Sequence, residues 1–328
     1  MRYLIVRLGG YGDCLIVTPL FSYLKNLGHE VYVLTSEQGM EVFKENPHID
    51  RLIYHERHSV ENAELEEYFR KVQAENACDE LIDLCESLEE KHLFHPTNPQ
   101  YNYPKNERMA VGNVNFYDSM FESAGFSVTG RLPEMYFAEA EEEAFQRNRE
   151  AFLGKFLVVW CLSGSSLHKA YPYTHIVMQE IIKKHPDVVF VTVGDEACQI
   201  LELALQHEQV IHKSGKWSFR ETALACKYAS LVVAPETGVI HLAGCFDTPK
   251  FCFLTHTTRE CVTKYFKNDY SLQADVACSP CFRIIYEAAE QCPIEHEAYA
   301  PFCTAMGFAP IKLIRLFDRI YDEQAVAA

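Results

Sequence analysis

Short apolar runs alternate with longer amphipathic stretches along the first half of the chain. The runs are rich in Val, Ile, Leu and Tyr, which predicts strands over residues 3–6, 30–34, 51–54 and 80–83. The stretches between them predict helices over residues 15–27, 38–45 and 60–73. This alternation is typical of a mostly parallel, doubly wound sheet whose ligand edge lies at the carboxyl ends of the strands.

The same alternation returns in the second half. It predicts strands over residues 156–162, 188–193 and 210–212 and a strand beginning at 231. It predicts helices over residues 175–184, 197–206, 219–228 and 311–321 and a helix beginning near 239. We therefore expect an α/β protein with two doubly wound, Rossmann-like domains facing a cleft. We place these domains at residues 1–150 and 151–310, with a C-terminal helix at 311–328 packing on them.

Two polar segments interrupt the pattern. Residues 95–112 are rich in Pro and Asn, which favours turns over regular structure. This segment is interpreted either as a cover for a substrate or as a surface excursion. Residues 139–149 are densely charged, which predicts a solvated helix leading into the second domain.

The size and charge of the chain exclude several classes of protein. With 328 residues, of which 48% are hydrophobic, the chain can form two cores. It contains no apolar stretch of about 18 residues and no signal-peptide pattern, so we expect a cytoplasmic protein without an integral membrane segment. The net charge of −16 argues against nucleic acid as a partner. The basic residues within 250–283 are a local exception, interpreted either as one face that meets an anion or as scattered solvated charges.

Thirteen cysteines without a secretory signal suggest reduced thiols. Most of them lie in apolar runs, as core residues do. Four others form a CxxC pair followed by two ten-residue gaps: Cys278, Cys281, Cys292 and Cys303. Four thiolates can hold a structural zinc or iron, because four protein ligands leave no open position. Four unligated thiols are the alternative interpretation.

The first glycine-rich segment joins the first strand to the first helix. Gly9, Gly10 and Gly12 allow the backbone to approach a ligand, and the start of a helix offers unpaired N–H groups. Asp13 follows them, and its negative charge would oppose a bound phosphate. Asp13 is therefore either a helix cap or a reactive group.

Two more segments in the second half follow predicted strands. Ser163, Gly164 and Ser165 are small enough to line a polyanion site, and Lys169 would supply a positive charge. Gly194 begins a turn after the next strand.

A further strand ends in Glu236, Thr237 and Gly238, and His241 follows on the first turn of a helix. Thr237 can cap that helix, and Gly238 allows the backbone to come close to a diphosphate. Glu236 is interpreted either as an acceptor of ribose hydroxyl groups or as a capping carboxylate. His241 would face the cleft or the core.

Together, these motifs resemble those of the glycosyltransferase family 9 heptosyltransferases, which are bacterial enzymes of the GT-B fold that transfer heptose from ADP-heptose. The motifs span most of the chain and occur in this order: Gly12-Asp13, Thr18-Pro19, the Ser/Gly stretch to Lys169 and Pro172, Gly215-Lys216, Glu236-Thr237-Gly238, His241-Leu242-Ala243 and Pro249. The chain departs from the family at Glu236, where Asp is more frequent, and at Phe253-Leu254, where a Phe-Gly pair is frequent.

The resemblance implies a role for each matching residue. Asp13 would be the base that deprotonates the acceptor hydroxyl, and Lys169 would neutralise the donor diphosphate. The turn that contains Glu236, Thr237, Gly238 and His241 would contact the nucleotide. Relatives with a similar cysteine tail, including autotransporter heptosyltransferases, suggest a bound iron at the four cysteines.

We therefore expect an inverting glycosyltransferase that needs no catalytic metal, with ADP-heptose as its donor. The acceptor would be a saccharide, a glycolipid such as lipopolysaccharide, or a protein. The negative charge favours a soluble saccharide or a protein over an anionic membrane lipid. A sugar-nucleotide epimerase or hydrolase and a non-catalytic nucleotide-sugar-binding protein are the alternatives. The acid at Asp13 favours an enzyme, and the order of motifs favours transfer.

Overall fold

The computed structural model describes residues 1–85, 88, 91–94, 98–149, 152–165, 169–283 and 302–327. These residues form two separate sheets in which all paired strands run parallel. The α/β fold with two facing, doubly wound sheets is therefore confirmed.

The first sheet has the order β3-β2-β1-β4. Its strands are β1 (Arg2–Arg7), β2 (Glu30–Thr35), β3 (Arg51–Tyr54) and β4 (Glu80–Asp83). The interior of β1 is buried on both faces, as expected for a central parallel strand. We call this sheet, together with the five helices that follow its strands, the first unit. These helices are α1 (Tyr11–Asn26), α2 (Glu37–Phe43), α3 (Leu65–Glu75), α4 (Lys105–Gly112) and α5 (Phe116–Ser123).

The second sheet has the order β10-β9-β8-β5-β6-β7. This is the classical dinucleotide-binding strand order, in which the direction of winding reverses between β5 and β8. The strands are β5 (Phe156–Cys161), β6 (Val188–Val193), β7 (Val210–His212), β8 (Leu231–Pro235), β9 (Lys250–Leu254) and β10 (Leu272–Gln273).

The second unit consists of this sheet and the helices that cover it. They are α7 (Thr174–Lys184), α8 (Cys198–Glu202), α9 (Phe219–Tyr228), α10 (Gly238–Gly244), α11 (Arg259–Val262), α12 (Phe302–Gly307) and α13 (Pro310–Ala327). The terminal helix α13 packs on α7, where Asp318 accepts a hydrogen bond from His185 at 2.8 Å.

Helix α6 (Glu139–Asn148) connects the two units and lies against α9. Arg220 on α9 forms two bonds of 2.7 Å to the Glu141 carboxylate, and it also donates to the carbonyl of Glu41 on α2 at 2.8 Å. Arg220 therefore ties the second unit both to the connecting helix and to the first unit. The predicted domain division at 150/151 stays a prediction, since both residues lie outside the described part of the chain.

Two expectations about local structure were wrong. Helix α1 begins at Tyr11, so Gly12 and Asp13 lie in its first turn and not in a loop before it. Residues 95–112 were expected to form turns, but the described part contains a 3₁₀ turn at Pro99–Asn102 and the helix α4. Contacts with the segment after β10 of the second unit hold this helix in place. Lys105 donates to the carbonyls of Ala277 and Ser279, at 2.8 and 2.6 Å.

Among the described residues, no helix combines the length and the apolar character needed to cross a membrane.

Candidate active site

A cleft of about 690 Å³ lies between the two units, at the carboxyl ends of β1, β5, β6 and β8. Doubly wound sheets bind ligands at this edge. The cleft contains all the predicted catalytic and substrate-binding residues except Gly9. They are Gly10, Gly12, Asp13, Ser163, Gly164, Ser165, Lys169, Gly194, Glu236, Thr237, Gly238 and His241.

Asp13 is held by two donors at the start of α1. One carboxylate oxygen accepts the N–H of Gly10 at 2.9 Å, and the other lies 3.2 Å from the Arg7 guanidinium. Arg7 is almost fully buried, whereas 31% of the Asp13 side chain is exposed, and Asp13 lines the cleft. Asp13 therefore caps its helix and also presents a carboxylate to the cleft. Gly9 lies behind it: a Cβ at Gly9 would stand 2.7 Å from the Cβ of Asp13.

The two units touch most closely where α1 and α10 begin. A Cβ on Gly238 would lie 3.1 Å from the backbone nitrogen of Gly12, and one on Gly12 would lie 3.4 Å from the Cα of Gly238. Such distances are tighter than, or at the limit of, ordinary side-chain packing. Glycine at both positions lets the two helix starts meet, which brings Asp13 to the second unit.

Lys169 lies behind the turn that follows β8. Its ammonium group donates to the carbonyl of Glu236 at 2.8 Å, and burial lowers its pKa, opposed by the nearby charges of Glu236 and Asp13. Gly164 makes room for it, because a Cβ there would stand 2.9 Å from the Lys169 Cδ and 2.4 Å from Thr237. The positive charge of Lys169 is thus fixed in the cleft by the backbone.

Glu236 is buried and is engaged within the protein. One of its oxygens accepts the N–H groups of Thr255 and Thr257, at 2.6 and 3.4 Å, and the other pairs with His256. Burial alone would raise the pKa of Glu236, but His256 and Lys169 outweigh it and lower the pKa to about 2. Glu236 therefore carries a charge in the cleft wall and fixes the segment after β9 to the turn after β8. Its predicted contact with ribose stays a prediction.

His241 is buried at the junction of the two helix starts. Its Nδ1 lies 2.8 Å from the hydroxyl of Tyr117 on α5, and its Cδ2 faces Gly12. Burial lowers the pKa of His241 to about 4, so the imidazole is neutral near pH 7.

The turns after β6 and β7 form the far wall of the cleft. The N–H of Gly215 donates to the carbonyl of Gly194 at 2.9 Å, which ties the two turns together. Gly215 has a left-handed backbone with φ of 63°, which favours glycine. Asp195 and Glu196 line the cleft between them.

Several lining residues were not predicted. Tyr11 stacks on Phe219 with ring centroids 4.0 Å apart, which joins the start of α1 to the start of α9. Trp217 and Glu41 lie beside them. Tyr11 stands inside the glycine motif and Trp217 directly after Gly215-Lys216, so both carry a signal in the sequence. Glu41 has none, since it enters the cleft only through the position of α2.

The four-cysteine metal site remains a prediction. Cys278, Cys281 and Cys303 are partly buried, whereas Cys292 lies outside the described residues. Within the part of the chain that the structure describes, no three His, Cys, Asp or Glu side chains are grouped as a metal requires. The described residues alone thus do not form this site.

Two facing parallel sheets with a cleft between their carboxyl ends are the arrangement of the GT-B fold, which by itself fixes no activity. The family model "Glycosyltransferase family 9 (heptosyltransferase)" matches residues 93–290. The chain belongs to this family. A search of curated protein sequences finds no match.

Solved structures agree with this assignment at the level of the fold. A family 9 glycosyltransferase from Veillonella parvula has a TM-score of 0.69 at 14% identity, over 98% of this chain and 97% of that one. ADP-heptose lipopolysaccharide heptosyltransferase II from E. coli has a TM-score of 0.69 at 11% identity, over 99% and 100%. The iron-containing dodecameric glycosyltransferase TibC from enterotoxigenic E. coli has a TM-score of 0.65 at 10% identity, over 98% and 76%. TibC has also been solved with ADP-D-β-D-heptose.

Proposed function

We propose that this glycosyltransferase transfers heptose from ADP-heptose to a hydroxyl group, with inversion at the anomeric carbon. One observation carries the proposal: the contact of Gly12 with Gly238 brings a carboxylate of the first unit, Asp13, into one cleft with a cation of the second unit, Lys169. The ADP-D-β-D-heptose bound by TibC and the ADP-heptose in the name of the E. coli heptosyltransferase II support the choice of donor.

Asp13 acts as the base in this proposal. Its carboxylate removes the proton of the acceptor hydroxyl as that oxygen attacks the anomeric carbon from the face opposite the diphosphate. Arg7 and the Gly10 N–H fix the direction of the carboxylate, and its partial exposure leaves room for the acceptor. Orientation of this kind lowers the barrier because the reacting atoms already lie in line.

Lys169 receives the leaving group. When the bond between the sugar and the diphosphate breaks, negative charge develops on the phosphate oxygens, and a fixed cation stabilises it. The bond from Lys169 to the Glu236 carbonyl holds the ammonium group in place before substrate arrives. We expect this charge to suffice without a catalytic metal.

The nucleoside lies toward the turns after β6 and β7. Trp217 offers an aromatic surface for the base, and Asp195 and Glu196 offer acceptors for ribose hydroxyl groups. Glu236 contributes by holding the segment after β9 in place. The acceptor enters from the first unit, beside Asp13.

The charge of the cleft affects which acceptors can bind there. The described lining residues include the carboxylates of Asp13, Glu41, Asp195, Glu196 and Glu236 but the ammonium group of Lys169 alone. Asp13 and Glu236 pair with Arg7 and His256, which leaves the other three acids to set the charge of the cleft. A strongly anionic acceptor such as a lipopolysaccharide core would be repelled once the donor occupies Lys169. An uncharged saccharide or a protein hydroxyl fits this cleft better than an anionic glycolipid.

A thermal-shift screen of nucleotide sugars tests the donor. A ligand that binds only the folded state raises the melting temperature by mass action. We expect ADP and ADP-heptose to stabilise the protein and UDP and GDP sugars not to do so; preference for UDP sugars would overturn the proposal. The variant K169M should lose the stabilisation by ADP. The matched control K312M, whose lysine pairs with Asp275 outside the cleft, should keep it.

A transfer assay with ADP-heptose separates the acceptors. Uncharged oligosaccharides, peptides with Ser or Thr, and lipopolysaccharide cores are offered in parallel at physiological salt. We expect product with one of the first two classes. Exclusive transfer to the anionic core would contradict the acceptor assignment, and release of free heptose without any acceptor would indicate a hydrolase.

A further inference from the structure

A buried hydrogen bond joins the two units inside the candidate active site. Tyr117 belongs to α5 of the first unit, and His241 belongs to α10 of the second unit. The Tyr117 hydroxyl lies 2.8 Å from Nδ1 of His241, and the two residues are 1% and 7% exposed. A bond buried this deeply must be satisfied with a defined direction, because water cannot replace either partner.

The direction of this bond follows from the proton inventory. A neutral imidazole has one N–H donor and one acceptor nitrogen, whereas a phenol has one proton to donate. Burial raises the pKa of Tyr117 and lowers that of His241 to about 4, so the phenol stays protonated and the imidazole stays neutral. Within the described residues, the Tyr117 hydroxyl has no other hydrogen-bond partner. Its proton therefore goes to Nδ1, which leaves the imidazole proton on Nε2.

Nε2 lies on the edge of the His241 ring that carries Cδ2. The neighbouring ring atom Cδ2 would lie 3.3 Å from a Cβ on Gly12, at the point where the two units meet. His241 lines the cleft, and Asp13, Lys169 and Glu236 are the charged groups close enough to act on it. An N–H on this edge of the ring lies next to the contact between the units, in the same cleft as Asp13 and Lys169.

We propose that Tyr117 is a positioning residue that holds His241 in its Nε2–H tautomer, so that the imidazole donates a neutral hydrogen bond to a diphosphate oxygen of the nucleotide sugar. The inference rests on the proposed function and adds to it a residue that no motif contains. The hydrogen bond from His241 strengthens as charge develops on that oxygen. Since the phenol and the imidazole belong to different units, the tautomer is set only when the units are together.

The variant Y117F removes the hydroxyl and keeps the ring. Without the phenol proton, Nδ1 can carry the imidazole proton itself, and Nε2 then turns a lone pair toward the diphosphate. We expect kcat to fall about 10- to 100-fold, less than the roughly 10²- to 10³-fold lost when a preorganised donor is removed, because the imidazole is still present and only its tautomer changes. Binding of ADP in the ground state depends less on the hydrogen bond from His241, so the Kd for ADP should change by less than about threefold.

A matched control separates this effect from a general loss of stability. Tyr171 is also buried, and its hydroxyl donates to the Phe308 carbonyl at 2.8 Å, but it does not line the cleft. Y171F should lose a similar amount of stability and keep its kcat. If Y117F and Y171F lowered kcat equally, the role of Tyr117 would be structural and the inference overturned.

Two further measurements test the inference, and the first of them does so even if Y117F folds poorly. Nitrogen-15 spectra of the histidine rings in the unaltered protein should show His241 with its proton on Nε2; a proton on Nδ1 would refute the assignment. In the background H241Q, Y117F should have no further effect on kcat, because its action passes through His241. A full additional loss in that background would contradict the inference.

The experiments distinguish a failure of the proposed function from a failure of the positioning role of Tyr117. If the unaltered protein bound no ADP, the choice of donor would fail, but the ring spectra would still report the tautomer. If it bound ADP and transferred heptose while Y117F kept kcat within about twofold, only the positioning role would fail.

Discussion

The two units each place an acid beside a glycine at the cleft, but the two acids are in different situations. Asp13 accepts one backbone N–H and pairs with Arg7, and nearly a third of its side chain remains exposed. Glu236 accepts two backbone N–H groups, pairs with His256 and is only 5% exposed. The first acid can still meet a substrate, whereas the second is part of the protein's own scaffold.

A motif therefore identifies the type of residue at a site but not its task. The task depends on which groups already occupy the carboxylate oxygens. The partners of Glu236 come from the segment after β9, about one strand and one helix further along the chain.

Removing the charge of Asp13 should have the largest effect. In D13N the amide can still accept the Gly10 N–H, so the helix start survives, but no base is available. We expect kcat to fall about 10²- to 10⁴-fold with little change in the affinity for ADP. Single-turnover transfer and calorimetry measure the two quantities. Transfer near the rate of the unaltered enzyme would reduce Asp13 to a helix cap and remove the difference between the two acids.

Removing the charge of Glu236 should have a smaller effect on activity. In E236Q the amide oxygen can still accept the N–H groups of Thr255 and Thr257, but His256 loses its counter-charge. We expect kcat to fall about tenfold, because a base elsewhere still carries the chemistry. Steady-state kinetics of E236Q and D13N, measured side by side, test this order. A larger loss in E236Q than in D13N would assign the base to the second unit.

The E236Q variant should also show how much the charge of Glu236 contributes to the free energy of unfolding at each pH. Its folded-state pKa of about 2 lies below the ordinary value of 4.5, so the charged form stabilises the folded protein. This contribution is present above about pH 4.5 and is lost as the pH falls toward 2. Integrated over that shift it amounts to about 3 kcal/mol. Denaturant unfolding of the unaltered protein and of E236Q should differ at pH 6 and converge near pH 2; a constant difference would contradict this.

The strands were largely predictable because buried parallel strands are continuous apolar runs bounded by polar turns. The runs over 51–54, 80–83, 188–193 and 210–212 coincide with strands in the structure. The start of α1 was not predictable, because Gly10, Tyr11 and Gly12 form helix poorly on their own. The stacking of Tyr11 on Phe219 and the contact with Gly238 hold this turn, and both partners lie more than half the chain away.

In the candidate site too, a residue could be predicted only where a local sequence pattern marks it. The glycines, Asp13 and Lys169 were visible because each belongs to a short segment that follows an apolar run. Tyr117 was not, since it sits on a helix that no pattern predicted, and its hydroxyl meets His241 only after both units have folded. Residues that act through a partner from the other unit leave no local signal in a single sequence.

The smallest effects are expected from the two glycines that meet between the acids. G12A would place its Cβ 3.3 Å from the His241 ring and 3.4 Å from the Gly238 Cα, and G238A would place its Cβ 3.1 Å from the backbone nitrogen of Gly12. Alanine favours a helix by about 1 kcal/mol over glycine, which offsets part of the crowding in both variants. Because backbone yields less than a ring, G238A should be the less stable variant, by about 0.5 to 1 kcal/mol in denaturant unfolding. The reverse order would show that His241 is packed more rigidly than the contact between the two helix starts.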